Sequence, residues 1–355
     1  MISLRDEVIL LRNTDSRHLP GIRTTAPRRR IAAASLTLAA LAPLAACGSD
    51  EGSAEGGGAR VDVVAFQAPS LGAFLPAIID DQDLDAAHGL DMRFTYATPD
   101  NYNSEFGAGH YDVGASAALL SEALRTERGS EVTYLFNLFD FYGTVVTQKD
   151  DIQQLTDLKG RTLAAATGTT NYAMFAWFAQ EAGLDLSTVE TQNQTTPGLS
   201  TMAQTGRTDA TQLWEPAYSS LAAATSDIHK IDLDYDAWKA KLGTDQIPYL
   251  GVAAQLEWAK SHPQEVQGLY DTYKAAADWV LENPEQAAEI IAKEIPGGDA
   301  GVIQQLIETN DERLKMNVQP ASAVADGIRS VFQAGQQTGY LTKEPPETVI
   351  YDGLD

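Results

Sequence analysis

The stretch from Asp157 to Tyr218 does most to limit what this chain can fold into. It opens on a polar turn, Asp157-Leu158-Lys159-Gly160-Arg161. The run Thr162 to Ala166 follows, apolar and short enough to be one buried strand. Thr167-Gly168-Thr169-Thr170-Asn171 is a loop of small polar residues that leads into a helix. Gly183 ends that helix, because a glycine just past a C-terminus takes the left-handed conformation at little cost. The stretch closes on Gly206-Arg207-Thr208-Asp209-Ala210, then Leu213-Trp214-Glu215-Pro216-Ala217-Tyr218. Strand, helix and strand in this order follow the logic of a βαβ unit. Open sheets of that kind bind ligands on the loops at their strand ends. Here those loops hold hydroxyls, a carboxylate and aromatics.

The preceding residues follow the same logic. Arg60 to Phe66 reads as a strand, Gln67 to Gly72 as its loop, and a helix runs through Phe74, Leu75, Ile78 and Ile79, with Gly89 as a stop signal. Leu90 to Tyr96 alternates like a second strand. Gly109-His110-Tyr111-Asp112-Val113 then repeats the Gly-x-x-Asp-apolar pattern of Gly206 to Ala210, which predicts two lobes of similar α/β construction. Thr133 to Leu138 and Thr144 to Gln148 read as strands, and Ile247 to Ala253 as a return segment. Beyond Gln255 the chain reads as helical. Ser261-His262-Pro263 starts one helix and Asn283-Pro284-Glu285 another, each with proline near its first position and a capping residue before it. Val266, Leu269, Tyr270, Tyr273, Ala277 and Val280 keep helical spacing. Ala323 to Ala334 forms a further helix, and the tail from Pro345 to Asp355 reads as extended.

Arg28, Arg29 and Arg30 precede a run from Ile31 to Ala46 that carries no charge. That run is shorter than the ~20 residues a membrane span needs. A basic head before a short apolar run reads as a secretory signal. Leu44-Ala45-Ala46-Cys47 resembles the bacterial lipoprotein box, in which Cys47 would become the lipidated N-terminus. Cys47 is the only cysteine, so no intrachain disulfide can form. Residues 1–46 thus read as a signal and 47–60 as a tether, because Asp50 to Ala59 is small, acidic and glycine-rich and cannot bury apolar surface. The net charge is −24, a surface that disfavours phosphate backbones and so argues against nucleic acid as a partner.

Taken in order, Leu158-Lys159-Gly160-Arg161, the strand, the threonine-rich helix start, Gly206-x-x-Asp209-Ala210 and Trp214-Glu215-Pro216 carry a family resemblance. They resemble the second lobe of the extracytoplasmic solute-binding proteins of ABC importers. The similar branch is the one that binds nitrate, alkanesulfonates, taurine and thiamine-precursor pyrimidines. That branch typically has lysine where Arg161 stands. The resemblance extends from about Val61 to the C-terminus. It implies an α/β, two-lobed, periplasmic-binding-protein-like fold with a hinge between lobes. Lobe 1 would comprise residues 61–143 and 249–355, and lobe 2 residues 144–248. It further implies a monomer that binds a small organic solute, sulfonate- or taurine-like or aminopyrimidine-like, and delivers it to ABC permease subunits. Such a protein is exported and held by its lipid anchor to the outer face of the cell membrane.

No catalytic constellation competes with this reading. Gly114-Ala115-Ser116-Ala117-Ala118 lacks the last glycine of a nucleophile elbow. Gly107-Ala108-Gly109 meets Asp112 where a dinucleotide fingerprint needs glycine. Asp81 to Met92 lacks both the turn glycine and the final glutamate of a calcium loop, and reads as a solvated helix face. The histidines have no metal-ligand spacing, so neither a metal nor another cofactor is expected, and the protein is read as a binder without turnover. The alternatives are an enzyme on the same fold, similar to pyrimidine synthases, and a ligand-sensing lipoprotein.

A two-lobed binder draws its contacts from strand-end loops of both lobes. Those expected from the first lobe are Ser70, Leu71, Phe74, Ser116, Asp140 and Tyr142. Those from the second are Thr167, Gly168, Thr169, Thr170, Trp214, Glu215 and Tyr218. Thr169 and Thr170 open a helix whose N–H groups favour an anionic or strongly polar acceptor. Trp214 offers a stacking face. Glu215 either accepts hydrogen bonds from an amine or amidine or caps a helix that starts at Pro216. These loops contain no Arg or Lys.

Replacing the single cysteine tests the anchor. Cys47→Ala should move the protein from the membrane to the soluble fraction; a variant that stays membrane-bound and is processed normally removes the lipoprotein reading.

Overall fold

The structure is a computed structural model that describes residues 58–354. The signal-like segment, Cys47 and the tether up to Gly57 lie outside the described residues. Four strands come first, Ala59–Phe66 (β1), Leu90–Ala97 (β2), Val113–Ala118 (β3) and Val132–Asp140 (β4). Five follow in a second sheet: Gly143–Thr147 (β5), Thr162–Ala165 (β6), Glu190–Asn193 (β7), Ala210–Trp214 (β8) and His229–Ile231 (β9). The chain then returns to the first sheet through Pro248–Gln255 (β10) and Met316–Pro320 (β11). The first sheet has the order β11-β4-β10-β3-β1-β2 and the second β7-β6-β8-β5-β9. β1 pairs in parallel with β2 and β3, and β6 with β7 and β8; β10 runs antiparallel between β3 and β4, and β5 antiparallel between β8 and β9.

The repeated Gly-x-x-Asp motif marks equivalent places in the two lobes. The helices Pro99–Gly107 and Thr196–Thr205 are followed by Gly109 and Gly206, with φ of 74° and 58°, a conformation that favours glycine. Each leads into the strand beside its lobe's first parallel strand, β3 beside β1 and β8 beside β6. β3 and β4 are buried almost throughout, as strands covered on both faces must be, whereas the edge strand β2 alternates.

The helix Thr170–Glu181 is apolar on most of its circumference, with Ala173, Met174, Phe175, Trp177 and Phe178 all buried. A helix of that kind must be covered on more than one side. The second sheet lies against it, and so does the helix Ala325–Gln337, which belongs to the returning part of the chain. Trp177 packs edge-on against Phe178 and Trp238, and its Nε1 donates to Gln337 Oε1 at 2.7 Å. This seam is common to both lobes.

Three local expectations change. His262 and Asn283 precede helices that do begin with proline, but neither side chain caps them. Each turns back toward Trp258 or Trp279 of the preceding helix, where Asn283 Nδ2 donates to the Trp279 carbonyl at 2.9 Å. The acidic run at Asp81 is no continuous helix face; Asp83 takes a left-handed conformation with φ 50° and splits it. The tail is not simply extended, since Glu347–Val349 forms a short 3-10 turn before Ile350 pairs with Tyr134.

The chain crosses between lobes at Phe141-Tyr142 and again before Pro248. The Phe141 N–H donates to the Ile247 carbonyl at 2.8 Å, so the two crossings are tied together. Asp140 ends β4 at this point. Its carboxylate accepts from Asn137 Nδ2 at 3.0 Å and Asn317 Nδ2 at 2.9 Å, yet burial outweighs these donors and raises it to about 6. The folded state therefore favours the protonated form. The resulting loss of stability is absent below the unfolded pKa of 3.8 and complete above about 6. Asp140→Asn should gain stability relative to the parent as pH rises from 4 to 7, by on the order of 2 kcal/mol. Denaturant unfolding at both pH values checks this; a difference that does not change with pH removes the assignment.

Candidate ligand cavity between the lobes

The strand-end loops of both sheets meet around a cavity of about 210 Å³. Helices follow the strands, so their first turns point inward. Ser70 and Leu71, Pro99 and Asn103, Ala118 and Ser121, Gly168 to Asn171, Thr196, Pro197 and Ser200, and Glu215 with Ala217 all line it from such positions. The positive ends of these helix dipoles face one space. Thr169 caps its helix by accepting from the Tyr172 N–H at 3.2 Å, and its hydroxyl donates to the Ala166 carbonyl at 2.8 Å.

The first lobe's wall is drawn tight by Ser116, whose buried Oγ accepts from the Phe66 N–H at 2.8 Å. A Cβ on Gly72 would stand 2.1 Å from that oxygen, so glycine is what lets the first loop close on β3. Ser70 caps the same loop by accepting from the Gly72 N–H at 3.2 Å.

Of the expected site residues, Ser70, Leu71, Ser116, Gly168, Thr169, Thr170, Trp214 and Glu215 line the cavity. Five do not reach it, each for a visible reason. Phe74 is buried in the first lobe's core with Leu75 and Ile78. Asp140 is held by the two asparagines at the crossing. Tyr142 stacks on Tyr235, with ring planes 6° apart. Thr167 turns its N–H and hydroxyl to Asn193 Oδ1 at 3.0 and 2.9 Å. Tyr218 lies beneath the Arg313 guanidinium, 5.0 Å from ring centre to Cζ.

Glu215 lines the wall, but its carboxylate is already filled. Oε1 accepts from Arg313 Nε and Nη2 at 3.0 and 2.8 Å, and Oε2 accepts from the Ser219 N–H and Oγ at 3.1 and 2.6 Å. Oε2 thus serves the first turn of the helix Ala217–Ala224, and no lone pair is left over for an amine on a solute. The local sequence carries no sign of Arg313, which arrives from 98 residues away. It also left out Tyr249, Asn171 and Ser121. Tyr249 stood in the return segment and Asn171 at the end of the threonine loop. Asn171 Nδ2 donates to Tyr249 OH at 2.7 Å, Ser121 Oγ lies 3.2 Å from Thr170 Oγ1, and Tyr340 OH donates to the Gly168 carbonyl at 3.4 Å, so hydrogen bonds join the lobes at the cavity.

Two such lobes, with a cavity at facing strand ends and two crossings behind it, define a protein of the periplasmic-binding-protein fold. The chain belongs to the NMT1/THI5-like family, whose model matches residues 86–287. A Brucella abortus protein described as a binding protein is 23% identical over 234 residues, 65% of this chain and 70% of that one. Among solved structures, the periplasmic aliphatic sulphonate-binding protein SsuA of Escherichia coli superposes with a TM-score of 0.67 at 17% identity, over 81% of this chain and 95% of its own. The alkanesulfonate-binding protein SsuA of Xanthomonas axonopodis pv. citri, bound to MOPS, gives 0.67 at 15% identity, over 81% and 96%.

The filled carboxylate makes a direct prediction. Glu215→Gln should lower the unfolding free energy of the ligand-free protein by about 2 kcal/mol, the scale of a lost charge-assisted hydrogen bond. Urea unfolding measures it; unchanged stability together with weakened solute binding would return Glu215 to the ligand.

Proposed function

We propose that this chain is the substrate-binding component of an ABC importer. It is exported, held by lipid at Cys47, and it captures a small organic solute with a compact oxyanion head, a sulfonate, between its lobes. The observation that carries this reading is the convergence of helix N-termini on a wall without a net charge. The lining has no Lys, Arg or His, and its one acid is neutralised by Arg313. Such a wall offers N–H and O–H donors to a weakly basic monoanion and suits a doubly charged oxyanion poorly, because buried charge needs a partner. Phe66, Pro69, Leu71, Trp214 and Leu250 supply apolar surface for a short tail. The sulfonate ligands named for the two structural neighbours agree with this chemistry.

The same lining supports binding without turnover. It holds no imidazole, amine or thiol, and its hydroxyls have no base beside them that is not already paired. General acid–base or nucleophilic catalysis needs such a group. Solute contacts made by both lobes would favour the closed arrangement and so drive closure toward the permease.

One observation favours an amine on the solute. Asn171 Oδ1 is a buried acceptor in the lining residues that has no hydrogen-bond partner. Ethanesulfonate and taurine differ by that amine and decide between the readings. Calorimetry should show saturable binding of at least one of the two, with the solute recovered unchanged, and taurine tighter if Asn171 is used. Binding of neither removes the sulfonate assignment, and chemical conversion of either removes the transport reading.

A further inference from the structure

Among the described residues, the ion pair that crosses from one lobe to the other is Arg313 with Glu215. Arg313 stands in the turn Asn310–Leu314, immediately before β11 of the first lobe. Glu215 follows β8 of the second. The turn is itself fixed: Asn310 Oδ1 accepts from the Met316 N–H at 2.8 Å, and its Nδ2 donates to the Met316 carbonyl at 3.2 Å. From this mount Arg313 donates twice to Glu215, once more to Ser219 Oγ, and covers the Tyr218 ring. Three residues of the second lobe, Glu215, Tyr218 and Ser219, thus meet one guanidinium. A planar fork with several donors can hold such a set, which an ammonium cannot.

Burial is unequal across the pair. The Glu215 side chain is 1% exposed and the Arg313 side chain 21%. If the lobes part, Arg313 leaves with the first and Glu215 stays with the second, and both regain water. The attraction in the closed form is therefore set against hydration in the open form, and the two nearly balance for buried pairs. A contact of this type can be made and broken in each cycle. Glu215 also lines the cavity, so the pair can respond to what the cavity holds.

We propose that Arg313 is a positioning residue that acts through Glu215: the pair is an interlobe latch that holds the lobes together before solute arrives and sets how fast solute leaves. The proposal rests on the reading of the chain as a solute-binding protein and deepens it. Removing the guanidinium leaves a carboxylate buried only in the closed form, so it penalises closure specifically. Removing both charges lifts that penalty.

Small-angle scattering of the ligand-free protein tests the latch without reference to any solute. Arg313→Gln should give a larger radius of gyration than the parent. Arg313→Lys should fall between them, and Glu215→Gln with Arg313→Gln should reverse part of the expansion. In stopped flow with ethanesulfonate, Arg313→Gln should release the solute about ten- to a hundredfold faster. An unchanged radius of gyration in all three variants overturns the latch, even where melting temperatures fall, because a merely structural pair affects stability and leaves lobe separation alone. If ethanesulfonate does not bind the parent, the sulfonate reading fails, while the ligand-free scattering still decides the latch.

Discussion

The helix Thr170–Glu181 can exist only if it is covered on both sides, and that requirement organises the molecule. Its apolar circumference cannot be satisfied by one sheet. The second sheet covers one side and the helix Ala325–Gln337 the other, so the apolar seam runs through both lobes. The N-terminus of the same helix opens at the cavity, where Thr169, Thr170 and Asn171 stand. Where these three residues sit is thus decided by Trp177 and Phe178 a few residues further on, in the least adjustable part of the core. Cavity-lining groups carried on so closely packed an element are held in place by the core, an arrangement that reduces what ordering costs when a cavity is filled.

Much of this was legible because it is local. Strand β6, the loop after it, the helix and Gly183 each have a signature within a few residues. The Gly-x-x-Asp repeat correctly marked β3 and β8 as equivalent strands. The return of the chain to the first sheet at β10 was implied by the family resemblance and not by the composition of that run. What failed was the direction of individual side chains. Phe74 and Leu71 belong to the same short segment and the same buried cluster, but only Leu71 also borders the cavity. Asn283 has the chemistry of a cap, yet serves the helix before it.

Glu215 shows the deeper limit. Trp-Glu-Pro at a strand end correctly placed a carboxylate in the wall, but its partner comes from a distant turn. Nothing in the local sequence couples positions 215 and 313. Whether a buried carboxylate selects a ligand or fastens the protein depends on a contact that only the tertiary fold makes. The absence of Arg and Lys from the nearby loops was real, and it described the cavity lining well. It did not describe the residue standing just behind that lining.

The strand order of the first sheet has a consequence for how the protein comes into being. β3 and β4 are neighbours in sequence but are kept apart by β10, which is made only after the whole second lobe. The second sheet is continuous in sequence and has all its strands once the chain has reached Ile231. The first sheet at that stage has an open seam between its two most buried strands. A chain that emerges N-terminus first can therefore complete its second half-molecule while the first still waits for its central strand. The late segments act as the closure of the molecule, and a truncation near the end would strip β4 of a neighbour at β11 as well as the contact of Ile350 with Tyr134. Long-range pairing of this kind is slow to form and exposes strand edges meanwhile. The residues from Pro248 onward thus decide when β1 to β4 become part of a finished sheet.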